Sequence, residues 1–248
     1  MNNYLRPCWK KYLKFDWKFG LLLLLLICVP RFILVLECNQ SGNYSAIGII
    51  MLISALLPFV FLNTSGRKAI GIKPTRKWTS LVLAVITGFI LAYILYFIGD
   101  LMYENSFQNW FKYIGKSYNI PDNLSADNKR LLFFVTAGIG AVFSPIGEEF
   151  YFRGLIHGSF AKSLGEVKAS VIDSTAFALT HLAHFGIVFI NGQWEFYSLP
   201  ALIWVLAMFS ASILFFKMKK ITDSIFGAVL CHASFNIGMT YCIFYFLN

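Results

Sequence analysis

The sequence predicts an all-α fold: a polytopic membrane bundle of about seven to eight helices with its N-terminus in the cytoplasm. Three observations carry this expectation. Of 248 residues, 58% are hydrophobic and 18% aromatic. Only 13% are charged, about half the roughly 25% of an average soluble domain. The apolar residues also gather into runs close to the ~20 residues needed to cross hydrocarbon. A water-soluble chain could not cover so much apolar surface with so few charges.

Seven runs are candidates for membrane passage: residues 19–36, 46–62, 78–98, 131–143, 167–189, 199–216 and 225–246. Arg6, Lys10, Lys11, Lys14 and Lys18 precede the first. Its leucine run, Leu21 to Leu26, reads as a signal anchor, because no small-x-small cleavage site follows it. Arg67, Lys68, Lys73, Arg76 and Lys77 fill the loop after the second run without an acid among them. Residues 108–118, with Trp110, Phe111 and Tyr113 beside lysines and Phe107 just before, suit an interfacial helix. The fourth run is short and ends in Ser144-Pro145-Ile146-Gly147. Ser144 suits an N-cap and Pro145 a first helical position, so a new, half-buried helix is expected from there to near Lys162, making eight helical pieces. Lys217, Lys219 and Lys220 follow the sixth run, whereas the remaining loops carry Glu37, Glu195 or a balanced mix around residues 100–130.

The positive-inside rule places the basic loops in the cytoplasm, with the N-terminus inside and the C-terminus outside. The net charge of +9 is then a topology signal with some attraction for anionic lipid, and no nucleic-acid partner is needed to explain it. Cys8, Cys28, Cys38, Cys231 and Cys242 are odd in number and form no Cys-x-x-Cys pair, so neither a disulfide framework nor a zinc ribbon is expected. No internal repeat or low-complexity linker divides the chain.

Within this apolar background, Gly147-Glu148-Glu149-Phe150-Tyr151-Phe152-Arg153-Gly154 stands out. An isolated ionisable side chain at mid-bilayer costs at least ~2.5 kcal/mol, so such groups face a protein interior or a wet cavity. Glu149 and Arg153 are four apart and can pair along a helix. Glu148 lies about 100° round the axis and is the carboxylate freer to face a cavity, while a helix start nearby would favour its ionised form. His181, with His184 one turn on, lies in the fifth run; His232 and Asn236 share a helix face in the seventh. Each alone could be an ordinary interhelical hydrogen-bond partner, and the Glu-Arg pair could be a staple that lets a re-entrant helix into the bilayer. Together, gathered by one cavity opening to the cytoplasm, they are the parts for peptide hydrolysis. A carboxylate and a histidine activate water, and neutral donors stabilise the oxyanion. Cys231 and Ser234 flank His232 but point elsewhere on the helix, which disfavours a covalent nucleophile.

The ordered motifs Glu148-Glu149-x-x-x-Arg153, Phe177-x-x-x-His181 and His232-x-x-x-Asn236 resemble the CPBP family of intramembrane endopeptidases. That family joins type II CAAX prenyl proteases to bacterial bacteriocin-processing and immunity proteins, also called Abi. The resemblance covers residues 131–246; the N-terminal part matches only in being helical and apolar. It implies one continuous membrane domain in which residues 1–130 supply transmembrane helices and the interfacial segment, and residues 131–248 the catalytic core. Within that core it implies that Glu148 and His181 activate water, that His232 and Asn236 form the oxyanion site, and that Glu149 and Arg153 shape the pocket. Family members have been described both as metalloproteases and as glutamate-dependent proteases. His181 and His184 lack the His-Glu-x-x-His arrangement of a zinc helix, so no cofactor is expected. A zinc ion is the alternative, with His184 the residue to watch.

Phe143, Phe150, Tyr151, Phe152, Phe160, Phe177 and Phe185 surround the polar residues and would suit a hydrophobic or lipidated peptide. The expected partners are such a peptide or membrane-protein substrate and the lipid bilayer. Short loops resemble the bacterial peptide-processing or immunity branch, and hence a multi-pass protein of a bacterial plasma membrane. A non-proteolytic scaffold, or an immunity or regulatory protein, is the alternative. A transporter broken at Pro145 and Gly147 ranks last, because no inverted repeat supports it.

Overall fold

In a computed structural model describing residues 4–247, the long apolar runs are helices whose outer flanks stay uncovered. Leu21, Leu25 and Val29 of α1 (Trp17–Ser41) are exposed, as are Ile86, Ile90 and Ile94 of α4 (Trp78–Tyr103) and Leu199, Leu202 and Leu206 of α9 (Ser198–Thr222). Such flanks are stable where lipid replaces water. Five helices are long and apolar enough to cross a membrane; α2 (Ile47–Phe61) is a shorter apolar companion.

The chain threads back and forth between two ends. One end collects the basic loops. Leu5 bridges Leu62, Trp17 N–H donates to Ser163 Oγ, Lys73 pairs with Asp223 at 2.7 Å, and Lys220 pairs with Glu166 at 3.1 Å. The short α3 (Thr64–Ala69) also lies here. The hydrogen bond and charge of Lys73 hold the Asp223 carboxyl below its usual range. At the other end, Asn39 Nδ2 donates to the Ala183 carbonyl, Phe189 N–H to Tyr113 Oη, and Tyr96 Oη to the Phe246 carbonyl. The first described residues therefore lie at the basic end and the last at the opposite end.

Small residues set the closest helix contacts, as expected where lipid gives helices no hydrophobic reason to associate. Gly88 of α4 brings the backbone against the Cys231 carbonyl of α10 (Ile225–Tyr245), and Gly147 lies against the Met51 carbonyl of α2, which an added Cβ would meet at 2.6 Å. Cys231 Sγ faces Thr87 of α4 at 3.6 Å and Ser234 Oγ donates to the Cys231 carbonyl. All five cysteines are free.

Four expectations change. The break at Ser144 and Pro145 is absent: α6 (Ala126–Glu148) passes through Pro145, widens into a π-helical stretch over Glu149–Ile156, and continues as α7 (His157–Leu164). The whole is a single 39-residue rod. Ser144 is not an N-cap; its hydroxyl donates to Glu148 Oε1 at 2.8 Å, so a local side chain, rather than a helix start, serves this carboxylate. The fifth run ends early, since α8 (Glu166–Thr180) gives way to a 3-10 turn, His181–Ala183, and then to a hairpin. In that hairpin β1 (Ile187–Ile190) pairs antiparallel with β2 (Gln193–Phe196). Asn191 and Gly192 form its loop with φ of 50° and 80°, the positive pair that a tight primed turn requires. Finally, the expected interfacial helix is a short α5 (Trp110–Gly115) plus a 3-10 turn, Lys116–Tyr118. Its Trp110, Phe111 and Tyr113 are buried in protein, where Trp110 packs on Trp204 and Phe185.

Candidate active site

A cavity of about 550 Å³ lies between α1, α2, α6, α9 and α10. Glu148, His181, His232 and Asn236 all line it, together with His184 and Arg31. Glu149 and Arg153 lie behind the wall, fully buried. The π-helical stretch helps to separate the two carboxylates. Glu148 ends the α-helical part and reaches toward α1 and the end of α8, whereas Glu149 opens the wider turn and reaches α10. Such π turns recur at functional sites, where they re-aim side chains.

Glu148 Oε1 accepts hydrogen bonds from Arg31 Nη2 at 2.8 Å and from Ser144 Oγ at 2.8 Å. Its other oxygen, Oε2, has no hydrogen-bond partner among the described residues and lies 3.9 Å from His181 Nε2. His181 Nδ1 is 2.7 Å from the Phe177 carbonyl. A carbonyl only accepts, so Nδ1 carries the hydrogen, and in its neutral form His181 presents a bare Nε2 toward Glu148.

Behind this pair, His232 Nδ1 and Glu149 Oε1 are 2.7 Å apart, and Arg153 Nε is 3.2 Å from Glu149 Oε2. The latter is an ion pair whose angle does not make a hydrogen bond. Two phenylalanines hold these groups. Phe177 lies 4.2 Å from both the Arg153 guanidinium and the His181 ring, while Phe215 stacks on His232 at 4.6 Å and lies 5.4 Å from Arg153. A desolvated guanidinium over a ring gains about 2 kcal/mol, which offsets part of the cost of burying Arg153. Asn236 Nδ2 donates to the Gly140 carbonyl at 3.0 Å, which fixes its amide against α6 and leaves its second N–H for other partners.

The structure thus gathers four of the six expected residues on one cavity wall and sets Glu149 and Arg153 directly behind it. Two further expectations are corrected. The cavity does not open toward the basic end: from Glu148 it extends to Tyr44, Ile114, Ser117 and Tyr118 at the opposite end. His181 accordingly ends α8 on its far side, while His232 lies in the half of α10 near the basic loops. The aromatic wall is also smaller than expected. Of the seven residues named, only Phe143 and Phe177 line the cavity; Phe215, Phe235, Trp204, Met51, Met208 and Met239 are among its other apolar lining residues. Tyr151 turns away and donates to the Leu23 carbonyl.

Arg31 is the functional candidate that the sequence reading missed. It is 4% exposed, and its signal was present: one arginine inside a 25-residue apolar helix, where an ionisable residue marks a site by default. Asp173 was missed for the same reason. It lies fully buried, 2.7 Å from His157 Nδ1, and gives His157 a structural partner near the basic end.

Fold and cavity define a class: a multi-pass helical membrane protein with an acid–histidine cluster under an apolar surface. Residues 130–238 match the family described as type II CAAX prenyl endopeptidase Rce1-like. The segment bearing both glutamates, Arg153, His181, His232 and Asn236 is therefore similar to a family of endopeptidases, in keeping with the CPBP resemblance. No curated protein and no solved structure matches the chain.

Proposed function

We propose that the protein is an intramembrane endopeptidase that hydrolyses a peptide bond of a hydrophobic or lipidated peptide with activated water. The observation that carries this reading is the 3.9 Å gap between Glu148 Oε2 and the bare Nε2 of His181. One water between them can bond to both, and either group can take its proton as the oxygen attacks the scissile carbonyl. Asn236 then donates to the oxyanion from its free N–H. His232 donates from Nε2 when a second proton sits in its hydrogen bond with Glu149, whose carboxylate balances the charge. Each such donor contributes typically 10²–10³-fold in rate.

No metal enters this proposal. Among the described residues, no group of three or more His, Cys, Asp or Glu side chains comes together to hold one. The cation already at Glu148 is Arg31, 2.8 Å away, and its charge would oppose a second cation. The peptide reaches the cavity from the bilayer between α2 and α6, where Ile139 and Phe143 line the cavity yet are half exposed. If the basic end faces the cytoplasm, the part of the cavity that reaches Tyr44, Ser117 and Tyr118 lies toward the outer side. We assign the protein to a bacterial plasma membrane, in the peptide-processing or immunity branch, on its short loops.

One observation favours a second reading. The Arg31 pair occupies the proposed base, as a non-cleaving scaffold or immunity protein could keep it permanently. Purified protein in lipid nanodiscs, offered a hydrophobic peptide library, separates the two. Cleavage by the wild type that disappears in Glu148→Gln and His232→Ala, with the helical circular dichroism at the assay temperature retained, supports the protease. Peptides bound but never cut support the scaffold.

A further inference from the structure

Arg31 has no assigned role in the reaction above, yet it is the cationic side chain in the cavity wall. A guanidinium presents five hydrogen-bond donors in a planar fork, and burying it is costly unless they are used. Here Nη2 meets a single carboxylate oxygen, Glu148 Oε1, while the buried Nε has no hydrogen-bond partner among the described residues. Glu148 is equally compromised, since one oxygen and its charge are committed to Arg31 rather than to water. Such a half-used fork beside an open cavity matches a second carboxylate, which can bridge two guanidinium N–H groups.

We propose that Arg31 is the receptor for a substrate carboxylate, and that its capture draws the guanidinium off Glu148 and so unmasks the base. The inference rests on the protease reading for its consequence and on the cavity alone for its binding step. Arg31 and the bare Glu148 oxygen flank the same carboxylate, so the captured group lies within about 7 Å of the scissile bond, a span of roughly two residues of extended chain. The carboxylate is either the C-terminus of a peptide cut close to its end or an acidic side chain near the cut. An apolar peptide carrying no such group would leave Arg31 on Glu148 and react slowly. Arg31 is then a specificity residue for the substrate and a positioning residue for Glu148.

The test uses the full chain in lipid nanodiscs and an acetylated hydrophobic hexapeptide in three forms: free C-terminus, C-terminal amide, and amide with one internal aspartate. The wild type should cleave a carboxylate form with kcat/KM at least about tenfold above the plain amide, the size of effect expected for one charge-assisted contact. Preference for the first form assigns a terminal carboxylate, and preference for the third a side chain. Arg31→Gln should bring all forms within about twofold of each other, and Arg31→Lys should restore part of the ratio, because it keeps the charge without the fork. Binding is read separately by tryptophan fluorescence, Trp204 being in the cavity wall. Glu148→Gln, which frees the guanidinium, should bind the carboxylate form about tenfold tighter than wild type and the amide equally. Equal handling of all three peptides by the wild type, or a preference that survives in Arg31→Gln, overturns the proposal. Selective binding without cleavage of any form would instead refute the protease reading and leave the receptor standing.

Discussion

Replacing Glu149 with leucine tests whether the pair behind the cavity acts as a unit. Glu149 and Arg153 are both fully buried and 3.2 Å apart. Removing one partner of such a pair leaves an uncompensated buried charge and costs about 3–5 kcal/mol. At roughly 2–4 °C per kcal/mol for a chain of this size, Glu149→Leu should melt about 6–20 °C below wild type in bicelles. The double variant Glu149→Leu/Arg153→Met removes both charges. Apolar replacements of buried pairs are often neutral, so it should recover most of that loss. Recovery should stop about 1–3 kcal/mol short, because His232 Nδ1 loses its 2.7 Å partner and a buried donor without one costs that much. Peptide cleavage should stay absent in both variants, which separates the pair's structural role from its hold on His232. Thermal unfolding followed by circular dichroism reads the first result and peptide cleavage the second. A single variant melting within about 2 °C of wild type, or a double variant melting below the single, would refute the ion-pair argument.

Asn236→Ala should lower kcat by about 10²–10³ with little change in KM, the signature of an oxyanion donor; an unchanged kcat would remove Asn236 from the reaction. Gly147→Val puts a side chain where an added Cβ meets the Met51 carbonyl at 2.6 Å. It should lower the melting temperature by parting α2 from α6, whereas Gly138→Val, whose site is open, should not. His181→Ala should abolish cleavage, while His184→Ala should preserve most of it, and equal losses would give His184 a direct share in the chemistry. Dialysis against a chelator should leave cleavage intact, and a loss restored by added zinc would replace the water-activation scheme with a metal one.

The spans legible in the sequence were those whose apolar runs end in clear stops. Examples are α9 and α10, separated by the turn at Asp223 and Ser224 with its neighbouring lysines. The rod 126–164 was misread because Pro145 breaks helices in water, yet is tolerated in a membrane helix, where neighbouring groups satisfy the freed backbone. The hairpin was hidden by Ile187-Val188-Phe189-Ile190, which extended the fifth apolar run past its true end. Asn191-Gly192, the strongest local hairpin signal, was there to correct it. At the site, the motif residues were readable because charge and imidazole are rare in such surroundings. Arg31 was passed over because it stood alone, without a spacing partner in its own helix, and the carboxylate it meets is 117 positions away. The cavity's direction was not readable at all, since it depends on how helices far apart in sequence pack around it.

The π-helical stretch over residues 149–156 makes the site sensitive to chain length in an unusual way. A π turn is one residue added to an α-helix. Deleting a single amino acid there would let the rod relax to the ordinary period, absorbing the loss inside the stretch and re-aiming the side chains within it. Arg153 would leave its slot between Phe177 and Phe215 while the helix itself survived. A lineage could therefore lose the chemistry through one in-frame codon loss and keep the membrane scaffold, and regain it by the reverse insertion.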